Sequence, residues 1–204
     1  MKGVVLVAIV CACAGCSGEV SSMTMGDAAG SGSGSNIIYM DAPAGAGEPA
    51  NLMGTTAAHN QVRAAVDTSG IAAGPIPPMV WDPALASLAM TWASQCIDAD
   101  NNGLVDHSST SYRTNAAGYS YVGENIFASG GNATGTQAVT TWAAEKANFT
   151  YPTTCSSTCG HYTQVVWRTS IHVGCALVTC SNLTYKSTVL CNYGPGGNSG
   201  GAPY

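Results

Sequence analysis

Two histidines and two glutamates stand apart in this chain as residues whose types could do chemistry. His107 precedes Ser108, and Glu124 sits in Gly123-Glu124-Asn125-Ile126. Glu145 lies three residues after Trp142, and His161 falls inside Cys159-Gly160-His161-Tyr162-Thr163-Gln164-Val165-Val166-Trp167. Two neutral imidazoles can take a borderline cation such as zinc, and carboxylates can complete the shell or hold ordered water. An open position on such an ion can activate water. Glu124 is followed at once by Ile126-Phe127, so the chain turns inward beside a carboxylate. Burial there raises its pKa or demands a cationic or metal partner. Glu145 shares a helical face with Ala138, Trp142 and Phe149, spaced by four, three and four, where an acid needs a partner or a route to solvent.

The other candidates are weaker. His59 falls in an apolar stripe with Leu52, Thr55, Val62 and Val66 and reads as a satisfied core histidine rather than a ligand. His172 sits in a connection and reads as exposed. Asp98-Ala99-Asp100-Asn101-Asn102-Gly103 matches the first half of an EF-hand loop, but the twelfth position is Ser109 instead of a bidentate Glu, so it reads as a solvated Asx-rich turn. His-Glu-x-x-His does not occur, which removes one common metallohydrolase signature.

The elements that must position these residues follow from periodicity. A first helix is predicted from Asn51 to Val66. A second starts at Asp82-Pro83, where Asp caps and Pro suits the first helical position, with Leu85, Leu88, Ala89, Trp92 and Cys96 as its buried stripe. A third is predicted from Thr136 to Phe149. Beyond Cys159, the β-branched and aromatic runs Tyr162 to Trp167, Val173 to Cys180 and Lys186 to Tyr193 read as strands.

Upstream of the domain, Met1 to Cys16 has one Lys, an apolar run and a small-residue end, the form of a secretory signal that is too short to span a bilayer. Ala14-Gly15-Cys16 resembles a bacterial lipobox, which would make Cys16 a lipidated first residue. Residues 17-50 have a Gly, Ser, Ala and Pro-rich tether composition, and 51-204 read as one domain. Charged residues are 8% of the chain and the net charge is −5, with six scattered basic residues, which argues against a nucleic-acid partner. Beyond the leader, six of the nine cysteines remain. Six allow fifteen pairings, and spacing alone favours only a short loop closed by Cys155 and Cys159. Export favours disulfides over zinc thiolates.

Four motifs, His107-Ser108, Gly123-Glu124-Asn125-Ile126, Cys159 to Trp167 and Cys191-Asn192-Tyr193-Gly194-Pro195-Gly196-Gly197-Asn198, resemble in their order the CAP superfamily of cysteine-rich secretory proteins, antigen 5 and pathogenesis-related 1 proteins. His59-Asn60-x-x-Arg63, Trp81-Asp82-Pro83 and Trp142-x-x-Glu145 add to the likeness. The resemblance implies an α+β fold, a three-layer α-β-α sandwich with a central antiparallel sheet, here in a bacterial lipoprotein-like member. It implies bridges Cys96 with Cys180 and Cys175 with Cys191, and a cleft of His107, Glu124, Glu145 and His161. His107 and His161 would then ligate zinc or another divalent cation. The implied role is an extracellular or cell-envelope binding or interaction module for a lipid, a sterol, or an envelope or host surface component. The alternative is a metal-dependent hydrolase or protease in which Glu124 and Glu145 are the candidate catalytic groups.

Overall fold

The computed structural model describes residues 47–204; the signal, the Cys16 lipidation site and all but the end of the tether lie outside the described residues. Glu48, at that end, is built into the domain: its carboxylate accepts from the amides of Gly54 and Thr56 at the start of the first helix.

The core is a four-stranded sheet in the order β1 (Val80–Trp81), β7 (His172–Thr179), β8 (Ser187–Gly194) and β4 (Gly123–Ser129). The three long strands are antiparallel, but β1 pairs β7 in parallel, so the sheet is mixed instead of wholly antiparallel. Two small hairpins, β2 (Thr114–Ala116) with β3 (Tyr119–Tyr121) and β5 (Phe149–Thr150) with β6 (Thr154–Cys155), lie beside it.

Side-chain alternation gives the sheet two apolar faces. Ile126, Ala176, Val178 and Leu190 meet Ala89, Trp92 and Ala93 of α2 (Pro83–Ala93). Asp82 caps that helix by accepting from Ala84 N and Leu85 N, and Pro83 takes the first position. The helix lies so close to β7 that a Cβ on Gly174 would run into Ala86 N and the Asp82 carbonyl. The opposite face, with Phe127, Val173, Cys175, Val189, Cys191 and Tyr193, packs on residues of α1 (Thr55–Ala64), α4 (Gly135–Ala144) and α5 (Gly160–Val165). A further single turn, α3 (Thr110–Arg113), leads into β2. Helix, sheet and helix thus form three layers.

The first helix is shorter than its periodicity predicts. A 3-10 turn covers Ala50–Leu52, and Gly54 at φ 89° breaks the run before Thr55. The third ends as an α-helix at Ala144 and tightens to a 3-10 turn over Glu145–Asn148. The stretch Tyr162 to Trp167 is not a strand; most of it is α5, whose buried Tyr162, Gln164 and Val165 reach the core from a helix. His172 is not in a connection either: it is the first residue of β7, half-buried, its ring 5.8 Å from that of Tyr119.

Three disulfides close the fold, Cys96 with Cys180, Cys155 with Cys159 and Cys175 with Cys191. Cys175 and Cys191 face each other in register across β7 and β8.

Two buried polar groups of α1 bind the helical layer to the rest. Arg63, 1% exposed, donates to the carbonyls of Pro77, Val165, Trp167 and Arg168 and, among the described residues, meets no carboxylate. Burial pushes its pKa down to about 10. His59, fully buried, donates from Nδ1 to the Thr55 carbonyl at 2.8 Å and accepts at Nε2 from the Tyr193 hydroxyl at 2.9 Å. Burial pushes this imidazole down to about 4, so the ring is neutral at pH 7.

Candidate functional site

Chain order delivers the four polar candidates as two separate pairs. Glu124, on β4, accepts at Oε1 from His107 Nδ1 at 2.8 Å and from Ser108 N at 2.9 Å, and at Oε2 from Ser108 Oγ at 2.7 Å. Its side chain is 1% exposed while that of His107 is 54% exposed, so the carboxylate is the buried anchor and the imidazole reaches outward. Burial alone pushes the Glu124 carboxyl up, but the bonds from His107 and Ser108 outweigh it and hold the group below its ordinary value. Ser108 is thus a supporting residue to which the sequence assigned no role. Only its place in the His107-Ser108 motif marked it.

Glu145 plays the matching part for His161. Its Oε1 accepts from His161 Nδ1 at 2.6 Å, and its Oε2 accepts from the amides of His161 at 3.0 Å and Tyr162 at 3.2 Å. These amides belong to the first turn of α5, where main-chain N–H groups lack helical partners, so one carboxylate caps the helix and fixes the ring. Trp142 stacks on His161 with centroids 6.3 Å apart and planes 15° from parallel. This accounts for an acid on the apolar stripe of its segment.

The Cys191 to Asn198 motif fastens α5 from the other side. Thr163 Oγ1 donates to Asn198 Oδ1 at 2.8 Å, Asn198 Nδ2 donates to the Gly160 carbonyl, and Gln164 Oε1 accepts from Gly197 N. Asn125 Nδ2 donates to the His161 carbonyl at 3.1 Å and to the Tyr193 hydroxyl at 3.2 Å, which joins the site to buried His59.

His107 and His161 line one cavity of about 550 Å³, together with Asp100, Asn102, Leu104, Val105, Asp106, Ile126 and Ala128. Glu124 and Glu145 are not in that wall; they stand behind the rings. With each Nδ1 hydrogen given to a carboxylate, a neutral ring keeps its lone pair on Nε2. Asp98, Asp100 and Asp106 bring carboxylate oxygens within 4.8 Å of one another. Those oxygens serve their own loop: Asp98 accepts from Asn102 N and Gly103 N, Asp100 from Asn102 N, and Asp106 from Ala99 N. That is the hydrogen bonding of an Asx-rich turn.

Residues 56–193 match the CAP family, described as the cysteine-rich secretory protein family. The chain is 41% identical over 150 residues to human GLIPR1-like protein 1, covering 72% of this chain and 59% of that protein, so it spans little more than half of that relative. It is also 41% identical over 142 residues to pathogenesis-related protein 1 of Arabidopsis thaliana, covering 69% of this chain and 74% of the relative. Among solved structures, venom allergen-like protein 4 of Schistosoma mansoni superposes with a TM-score of 0.60 at 21% identity, over 76% of this chain and 94% of that one. The structure described as NaASP2 with Zn2+ gives a TM-score of 0.53 at 26% identity, over 74% of this chain and 82% of that one. The matched motifs, the three-layer architecture and these relatives agree, and the chain belongs to the CAP family of cysteine-rich secretory proteins.

Proposed function

We propose that this CAP domain is an exported binding module whose cleft holds a divalent cation such as zinc between His107 and His161. The observation that carries this reading is the identical treatment of two histidines from different layers. Each gives Nδ1 to its own carboxylate, and both line the same cavity. A carboxylate behind a histidine raises the basicity of the far nitrogen and fixes the ring, as in second-shell support of metal ligands. The similarity to a protein whose structure is described as containing Zn2+ supports the choice of ion. When bound, the ion would supply charge and polarisation to a ligand lying against the apolar wall of Leu104, Val105, Ile126 and Ala128.

The hydrolase alternative is less well served. Glu124 and Glu145 each accept three hydrogen bonds and stand behind the rings, so neither is placed as a general base toward the cavity. The disulfides place folding in an oxidising compartment. Envelope attachment through an acylated Cys16 completes the proposal, and membrane fractionation with intact mass tests it. The cleft is tested by calorimetric titration with zinc at neutral pH. Wild type and His172→Ala should take up one ion, while His107→Ala and His161→Ala should not. Absence of uptake by wild type would leave the two pairs as a hydrogen-bonded polar cluster.

A further inference from the structure

The direction of the main chain in the sheet says what kind of ligand the cleft is built to meet. Ile171 N donates to the Gly194 carbonyl, so Gly194 and, by alternation, Asn192, Leu190 and Thr188 turn their main-chain groups toward β7. Tyr193, Cys191, Val189 and Ser187 turn theirs toward β4, where their register partners are Gly123, Asn125, Phe127 and Ser129. The N–H and C=O groups of Glu124, Ile126 and Ala128 therefore point away from the sheet. Trp142 Nε1 donating to the Ile126 carbonyl at 3.2 Å, from beyond the edge, agrees with this polarity.

No strand pairs with that outer side of β4 among the described residues, and with the Ile126 carbonyl already taken by Trp142 an added strand would pair through the Ile126 N–H and the Ala128 main chain. The cavity lies along it. Ile126 and Ala128 form one wall, His107 comes from the segment following α2, and His161 comes from α5 in the opposite layer. The outer side of β4, along Ile126 and Ala128, is thus where a fifth strand would run. Its charged lining, apart from the imidazoles, is Asp100 and Asp106, and neither Lys nor Arg lines it.

We propose that the cleft takes an extended basic peptide segment, paired along β4 as a fifth strand with a Lys or Arg side chain turned toward Asp100 and Asp106. This rests on the reading of the cleft as the binding site, but not on the metal. An outward strand edge is matched by another extended backbone, which supplies donors and acceptors at the same spacing. An acyl chain or sterol ring supplies neither. The acidic lining selects for a cation by charge complementarity.

The test uses fluorescence anisotropy on the purified protein with four acetylated octapeptides, run with and without zinc. The first alternates Lys and Val, the second replaces Lys by Glu, and the third carries methyl groups on alternate amide nitrogens. The fourth repeats the first with those methyl groups on the other set of amides. The Lys peptide should bind and the Glu peptide should not. One methylated peptide should lose about tenfold or more, the equivalent of a single lost main-chain bond, while the other binds as the parent does. Asp100→Asn with Asp106→Asn should weaken the Lys peptide, and Ala128→Pro, which removes an outward N–H from an edge position that tolerates proline, should do the same. Equal binding of Lys and Glu peptides, or of both methylated peptides and the parent, overturns strand addition. Zinc uptake without peptide binding overturns this inference and leaves the metal reading standing, whereas peptide binding without zinc uptake does the reverse. Binding of cholesterol but not of peptide would make the cleft a lipid site and also refute the proposal.

Discussion

Acid should destabilise this domain through one buried ring well before its carboxylates titrate. His59 is fully buried, and its pKa falls from an ordinary 6.5 to about 4. Between those values the unfolded chain binds a proton that the native chain refuses, so stability rises with pH across the window and is lost as pH falls through it. At 1.36 kcal/mol per unit, the gap is worth about 3 kcal/mol, most of it spent by pH 4.5. Glu124 acts in the same direction but lower: its pKa is depressed, so its contribution is present above the ordinary carboxylate value and lost as pH falls through the folded one. The two windows are therefore separable. The assay is urea unfolding of the disulfide-intact protein at half-unit steps from pH 7.5 to 4.5, on wild type and His59→Gln. Glutamine does not titrate, so the variant starts less stable yet should show a flatter pH profile. The difference between the curves cancels the other histidines. Parallel curves would mean that His59 is not held neutral, and the chain from Thr55 through Tyr193 to Asn125 would need a different protonation pattern.

Three further outcomes are expected. Arg63→Ala strips four carbonyls of their donor, two of them buried and two part-buried, so it should cost about 3 kcal/mol or more in denaturant titration, and a loss under 1 would show that water replaces the guanidinium. Removing the Cys96–Cys180 bridge by paired serine substitution frees a sequence separation of 84 and should cost about 4.5 kcal/mol, against about 2 for the Cys155–Cys159 loop with its separation of 4, and the reverse order in melting experiments would refute loop entropy as the cause. Glu145→Ala should speed amide exchange at His161 and Tyr162 and weaken zinc uptake, while unchanged exchange would mean that α5 is held by Asn198 and Gln164 alone.

What the sequence discloses is what neighbours in the chain decide. Asp82-Pro83 announces α2 because cap, proline and stripe agree, and β7 and β8 carry β-branched and aromatic residues between turn residues. Tyr162 to Trp167 misleads because its Val and Trp favour strands, while a carboxylate 16 residues upstream and an asparagine 35 residues downstream hold much of it as a helix. Residue types mark the histidines and glutamates as a polar set. Their division of labour is not visible that way, since it depends on which oxygen meets a ring and which meets an amide. The parallel β1 pairing is equally hidden, being two residues long.

Each histidine–carboxylate pair is closed within a short stretch, 17 residues for His107 with Glu124 and 16 for Glu145 with His161. The halves of the cleft are therefore low-contact-order units that can form early and in either order, with the β4–β8 pairing, whose partners lie some 60 to 70 positions apart, bringing them into opposition late. Any ligand that touches both halves acts as a clasp across the last step of assembly. It should slow unfolding while leaving the folding rate almost unchanged.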